Sequence, residues 1–483
     1  YFVSKKIRGK RYLYIVWGKR VGKKTKTIKQ LYLGSADRVA ELLSAPIPKF
    51  ASRSYGDMSL LLHIAELTCF VEIVNKHAQK KASIGNYLLL PIINRLLAPT
   101  SKAGISEWHA KTCLPLLESK RLSLSSQSYW HYLGRLDEGK MAAIWQELVS
   151  NAKNKLGVED TTFLYDPTNV FTYIDEHDGN ALPQKGHSKQ MRNDKNLLAL
   201  GLVIGEQSEL PHEYSCYPAN VHDSKQFPNA VPRFAGRQKI GKEKITLVFD
   251  KGNNSQAGFD AMRGYYFVGA LTKNNTEVAE LIDGNFKFCY KNRNGNEIRS
   301  VSKMANVYGM SCKIVVSYNK KLEEKQLHSL GERTAKTMLK FKKIDHFFTS
   351  EKAAFRALAE ILPKKQNPFD YEVAKEGKKF RALLNLNEEK LAAYRKGAGK
   401  NIIFTNHLDW GDERIIRVYR SMHKIENQFR LLHGAMLVPL KPVYHWTDQK
   451  IAAHVFLCMV ALLFAKTLEF ICKNRINGNF RQI

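Results

Sequence analysis

Two short apolar runs in the middle of the chain constrain its fold more than any other feature. Residues 161–165 (TTFLY) close on Asp166, and residues 245–249 (ITLVF) close on Asp250. Runs of this length, rich in β-branched and aromatic residues, read as buried strands. Residues 196–204 (NLLALGLVI) and 212–218 supply two further strands between them, and residues 266–271 a fifth, after a helix over 255–262. Hairpin-joined strands followed by β-α-β units predict an α/β fold, a mixed sheet with helices on its faces. Sites in such open sheets form outside the carboxyl ends of the strands. If the two strands are neighbours, Asp166 and Asp250 stand side by side on one edge.

A third acid lies far downstream, in residues 417–433 (RVYRSMHKIENQFRLLH). The stretch has no proline or glycine, so a continuous helix is expected. Val418, Met422, Ile425, Phe429 and Leu432 make one apolar stripe, and Tyr419, Glu426, Arg430 and His433 fall on the stripe beside it. Glu426 at that core edge is either an i,i+4 partner for Arg430 or an aimed ligand. Three oxygen donors with no His or Cys nearby in sequence suit a hard cation such as Mg²⁺ or Mn²⁺. Two such ions about 4 Å apart can clamp the attacking and leaving oxygens of a phosphodiester. Each acid also has a structural reading, because strand-end aspartates often cap turns. Asp175, Asp178, Asp223 and Asp260 compete with the chosen three.

Charge decides what such a site would act on. The chain carries 76 Lys and Arg against 45 Asp and Glu, a net +31. That surplus costs self-repulsion unless a polyanion is a regular partner; nucleic acid is the leading candidate and an acidic membrane surface the runner-up. Residues 1–50 concentrate it, with lysines and arginines interleaved among Tyr12, Tyr14 and Trp17. A basic β-meander with a turn at 18–22 is expected there, as a DNA-binding module. Residues 51–158 turn helical, for end binding or dimerisation. Residues 159–275 hold the first part of the sheet, 276–375 an insertion, and 376–473 the rest of the core with C-terminal helices. Seven scattered cysteines without a CxxC pair suit a reducing cytoplasm. The apolar run at 455–465 is too short to span a bilayer and reads as a buried helix, so no membrane partner is expected.

Read in order, these pieces closely resemble the DDE transposases of bacterial insertion sequences. The resemblance covers residues 163–464. It is carried by Tyr165-Asp166-x-Thr168-Asn169, Gly186-x-Ser188-Lys189, Pro218-x-Asn220-x-x-Asp223 and Phe249-Asp250-Lys251-Gly252. Thr405-Asn406, Tyr419-x6-Glu426-x2-Phe429-Arg430 and Pro442-Val443-Tyr444-His445-Trp446-Thr447 complete it. The resemblance implies a ribonuclease H-like mixed sheet with a β-rich insertion. It also implies two metal ions on Asp166, Asp250 and Glu426, and a homodimer in a paired-end complex. The expected reaction cleaves transposon ends and joins the 3′-OH to target DNA. The long interval from Asp250 to Glu426 agrees with the subgroup that bears a Tyr–Arg–Glu–Lys signature. Here Tyr419 and Glu426 match it, whereas Met422 replaces its arginine and His433 its lysine. Tyr419, Lys424, Arg430 and His433 are the DNA-contact candidates on this stretch. A catalytically degenerate DNA-binding regulator would accommodate Met422 and His433. It would not explain three intact acids, whose mutual repulsion is costly without a cation. A paired-carboxylate glycosidase shares the acids but not the basic surplus.

Overall fold

A computed structural model of the chain describes residues 1–44, 53–78, 84–117, 122–174, 181–186, 188, 192, 194–238, 240–273, 276–363, 367–434, 438–441, 443 and 445–477. Residues 1–54 and 55–483 separate as two compact units. In the first, β1 (Phe2–Ile7), β2 (Lys10–Val21) and β3 (Lys24–Ser35) form an antiparallel meander, followed by a helix over Ala36–Ser44. The reversal expected at 18–22 is displaced: strand continues to Val21 and the turn falls at Gly22, at φ 66°. Gly18 serves a different need, because a Cβ there would lie 2.6 Å from the Thr25 methyl across the pair. Only Val16 among the described residues of this unit is buried. The sheet therefore exposes both faces, with Lys5 over Tyr14 at 4.8 Å and Lys29 over Trp17 at 5.6 Å.

The second unit is built on a nine-stranded mixed sheet. Its strands are β4 (Thr162–Phe171), β5 (Leu197–Gly205), β6 (Pro211–Pro218), β7 (Thr246–Phe249), β8 (Tyr266–Ala270), β9 (Lys287–Lys291), β10 (Glu297–Val307) and β11 (Met310–Tyr318). Three strands then stand apart, β12 (Phe347–Phe348), β13 (Phe369–Glu376) and β14 (Lys379–Leu386), before β15 (Lys400–Thr405) returns to the large sheet. The order is β6-β5-β4-β7-β8-β15-β11-β10-β9. β4, β7 and β8 run parallel and β5 antiparallel between β4 and β6, which is the arrangement expected of a ribonuclease H-like core. β4 runs past Asp166 and Pro167 to Phe171. Its ladder with β7 ends at Tyr165, and a strand tolerates proline where no ladder bond is required of it.

The stretch expected as one insertion divides in two. β9, β10 and β11 extend the core sheet, because β11 pairs with the edge of β15 that β8 leaves open, and an uncovered edge is a liability. Only β12, β13 and β14, with helices Lys320–Phe341 and Glu351–Ile361, form a separate layer with its own small core. β13 and β14 fall here, outside the core sheet.

Both faces of the large sheet are covered, so its strands need not alternate. One face packs phenylalanines: Phe227, Phe234, Phe249, Phe259, Phe267 and Phe404 are all at most 1% exposed. The other meets the helical layer, seven helices from Gly56–Leu67 to Glu138–Leu156, and the terminal helix Asp448–Asn477. That terminal helix is much longer than the apolar run that marks it in the sequence. By length and composition it could cross a membrane (mean hydropathy 2.2), but two thirds of its apolar window is buried within this fold. Phe464 meets Phe70 edge-on at 5.8 Å. All seven cysteines are free thiols.

Two measurements check this packing. Phe456, fully buried on the terminal helix, should cost about 3–5 kcal/mol when truncated to alanine, read as a lower denaturant midpoint. His407 stacks between Tyr266 (4.0 Å) and Trp410 (3.6 Å) and bonds Thr246 Oγ1 at 2.9 Å. Burial holds its imidazole down from 6.5 to about 4. The unfolded chain therefore binds the proton first, and stability present above pH 6.5 is lost as pH falls toward 4. His407→Asn should make that decline less steep in unfolding titrations.

Candidate active site

The parallel pairing of β4 with β7 sets Tyr165 opposite Phe249. Asp166 follows on β4, and Asp250 is the first residue past the end of β7. Asp166 is half-buried and Asp250 exposed. Asp250 also fulfils its structural role, since Oδ1 accepts the Lys251 amide at 2.8 Å and caps a single turn over Lys251–Asn253.

The third acid comes on a helix, but not on the continuous one expected. The stretch resolves into Asp412–Arg420 and His423–His433, broken at Ser421–Met422. Two side chains compete with the backbone there. Ser421 Oγ donates to the Val418 carbonyl at 2.6 Å, and His423 Nδ1 lies 2.7 Å from the Arg420 carbonyl. Both satisfy carbonyls that a continuing helix would use. Asp412 fixes the first helix to the sheet through Lys313 of β11 (2.8 Å) and Ser300 of β10 (2.9 Å). Tyr290 of β9 adds a second clamp, with Arg417 over its ring at 4.1 Å and Arg420 donating to its hydroxyl at 3.3 Å.

Tyr419, at the end of that clamped helix, gathers the acids. Its hydroxyl donates to Asp250 Oδ1 at 3.1 Å. Burial pushes that hydroxyl well above the usual tyrosine range, and the charges of Asp250, Asp166 and Glu426 push it further. One phenol thus lies in the field of all three carboxylates. Among the described residues no three His, Cys, Asp or Glu side chains are drawn into a single metal-sized group. The donor set, three carboxylates on rigid elements facing water at Asp250 and Glu426, is the chemistry a hard cation takes.

The other candidates are placed as follows. Lys424 forms a half-buried ion pair with Glu206 at 2.7 Å and also bonds the Glu206 carbonyl, so it holds the Glu426 helix to the β5–β6 turn. Arg430 is exposed and bonds Asn427, not Glu426. His433 stacks on Phe429 at 6.3 Å. Met422 packs against the core. Of the competing acids, Asp260 pairs with Arg263 at 3.1 Å. Asp223 accepts from Tyr217 at 3.2 Å and, with Asp166, raises the hydroxyl of Tyr165, itself shifted mainly by burial. Asp223 therefore neighbours the site. Asp175, Asp178, Lys189, Pro442 and Tyr444 lie outside the described residues.

Sequence reasoning missed a basic and aromatic cluster at the far end of the Asp166 strand. Lys441 and Arg192 lie over Phe171 at 4.1 and 5.1 Å, and Lys195 over Tyr173 at 5.5 Å. The alternation of aromatics in residues 171–173 with cations in 192–195 was the available signal.

Comparison with known proteins identifies a family. The family model described as a transposase DDE domain matches residues 163–463. Among solved structures the chain is similar to the piggyBac transposase in a synaptic complex with hairpin DNA. The two are 8% identical, covering 89% of this chain and 83% of that one, with a TM-score of 0.38. It is also similar to the Mos1 transposase in a paired-end complex with the left transposon end. There the identity is 10%, the coverage 47% of this chain and 63% of that one, and the TM-score 0.16. No curated protein matches the sequence.

Removing the Tyr419 hydroxyl tests the convergence. Tyr419→Phe should destabilise the protein by about 1 kcal/mol in a chelator, because Asp250 loses a donor beside other negative charge. Added Mn²⁺ should shrink the difference from wild type in denaturant melts; an undiminished difference would show that the hydroxyl and the cation do not share these acids.

Proposed function

This chain belongs to the transposase DDE-domain family, and we propose that Asp166, Asp250 and Glu426 are the carboxylates that hold its divalent metal ions. It is a DNA-cleaving and strand-transferring enzyme, and its family works with divalent metal ions. The finer reading is two Mg²⁺ ions, with Mn²⁺ as substitute. Ions held there would supply Lewis-acid stabilisation of the charge that builds on the phosphodiester.

The observation that carries the assignment is Tyr419, whose hydroxyl bonds Asp250 and feels Asp166 and Glu426. Asp166 and Asp250 act from fixed, neighbouring strands. Glu426 comes on a separate helix, held to the β5–β6 turn through Lys424 and Gln428. Tyr419 orients Asp250. In the reaction, water attacks the phosphodiester at the transposon end and frees a 3′-OH, which then attacks target DNA in line.

Double-stranded DNA, both transposon ends and target, is the partner, held in a homodimeric paired-end complex, with no role for a membrane. The exposed Arg430 reaches the DNA backbone together with Tyr419 and His433. Lys424 would contribute only by leaving Glu206. The basic N-terminal meander supplies sequence-independent affinity. Such an enzyme acts in the cytoplasm, at the nucleoid.

Nicking of supercoiled plasmid carrying the element's ends tests this reading. Wild type should nick with Mg²⁺ or Mn²⁺ and not in EDTA. Asp166→Asn, Asp250→Asn and Glu426→Gln should each remove several kcal/mol of charge stabilisation, a loss of roughly a hundredfold or more, while duplex binding persists. A wild-type protein that binds duplex and never nicks with either metal would instead be a DNA-binding regulator.

A further inference from the structure

His445, from the motif at residues 442–447, has no part in the site above, yet it enters a cluster of like charges. Arg95 lies on helix Ile84–Leu97, and Lys102 in the turn that follows it. His445 lies just before the terminal helix, and Lys450 and His454 sit on its first turns. Lys102 Nζ is 2.7 Å from His445 Nε2 and 3.3 Å from His454 Nδ1. An ammonium can only donate, so both ring nitrogens accept and both imidazoles are neutral. His454 then gives its remaining proton, on Nε2, to the Leu440 carbonyl at 2.9 Å. Arg95 bonds the Pro439 carbonyl, and Lys450 bonds the Trp130 carbonyl while lying 4.6 Å over its ring. Trp130 stacks in turn on His445 at 6.4 Å.

Every charge in this group has the same sign. Among the described residues no carboxylate pairs with Arg95, Lys102 or Lys450. Burial, reinforced by Arg95, holds Lys102 down to about 8. Burial first, then Lys102, Lys450 and Arg95, hold His445 down to about 3, and His454 also lies well below the usual imidazole range. Buried charge without a counter-charge is costly. Carbonyls satisfy some of these protons but cancel none of the charge. Two of the three Lys102 protons go to imidazoles, and one remains for an acceptor.

We propose that Arg95, Lys102, Lys450 and His445 form an anion site that takes a backbone phosphate of bound DNA. Exposed tryptophans flank His445: Trp130, which stacks on it, is 44% exposed, and Trp446, the next residue in the chain, 63%; nucleic acid stacks on such side chains. It is also tied to the chemistry, because the Leu440 amide donates to the Leu432 carbonyl at 2.8 Å and so joins this segment to the last turn of the Glu426 helix. A phosphate held here registers the duplex against that helix. The inference rests on the transposase reading but uses none of Tyr419, Lys424, Arg430 or His433.

The test uses the full chain and a 30-base-pair duplex of arbitrary sequence, with affinity measured against salt. Lys102→Met should weaken binding about tenfold at 0.15 M salt and lower the salt slope by about one. Arg95→Gln, which keeps a donor for the Pro439 carbonyl, should act in the same direction and decides the matter if Lys102→Met fails to melt cooperatively. Unchanged affinity and slope in a folded variant overturn the proposal, whether or not wild type nicks DNA. If inorganic phosphate at constant ionic strength raises the melting temperature of wild type but not of the variants, and duplex binding is equal in all, the ligand is a free anion and the DNA assignment falls. Wild type that binds no duplex at all removes the transposase reading itself, and this proposal with it.

Discussion

The pairing of β4 with β7 is the contact on which the rest of the site depends. Their parallel register sets Tyr165 opposite Phe249, and the two aspartates follow at the first residue beyond it. A slip of one residue would turn every side chain of a strand to the other face. That slip is prevented on both sides, by the phenylalanine layer against Phe249 and by the helical layer against Leu164 and Val248. The core therefore fixes the spacing of the acids, although neither acid belongs to it. β5 helps on the far side, pairing with β4 along its whole length and past Asp166.

Glu426 is placed by a second set of interactions, and one of them engages Lys424. Lys424 is engaged by Glu206, and Gln428 donates to the Glu209 carbonyl at 2.6 Å. Lys466 of the terminal helix pairs with the Glu209 side chain at 3.1 Å. The β5–β6 turn thus binds both the Glu426 helix and the terminal helix. Upstream, β9, β10 and β11 hold the preceding helix through Tyr290, Ser300 and Lys313. Strands that the sequence marks as an insertion are in this way the support on which Tyr419 stands.

What could be read from the sequence follows the range of the interactions involved. The strands that carry the apolar runs before Asp166 and Asp250 were legible because a buried strand leaves a local apolar run, although the first continues past Asp166 to Phe171. Their adjacency required a premise about topology, and family likeness supplied it. The helix break at Ser421 was not legible, because a serine hydroxyl bonding back three residues leaves no trace in apolar periodicity. Nor was the joining of β11 to β15, an edge pairing between segments some eighty residues apart. The terminal helix was foreseen as buried but drawn too short, since its polar first turns carry no apolar signal. The cationic cluster was the least legible feature, because Lys102 and His445 are 343 residues apart and only the fold brings them together.

The two charge clusters pose the same physical problem with opposite signs. Around Tyr419, three carboxylates raise the same phenolic hydroxyl, which donates a hydrogen bond to Asp250. Around Lys102, three cations share one neighbourhood, and neutral imidazoles with backbone carbonyls take up protons without cancelling charge. Placed together, the two clusters could have neutralised each other as buried ion pairs, a common solution in folded proteins. This chain keeps them apart, each on its own part of the second unit. Like-charged groups held in this way are stabilised by a partner of the opposite sign, a cation for the first and an anion for the second. A DNA substrate bound with divalent ions brings both kinds of partner at once, and neither cluster is then left with its charge unanswered. On this argument the net +31 is only the outer part of the attraction. The more selective part is the pair of sites whose electrostatic cost falls when metal and phosphate arrive together.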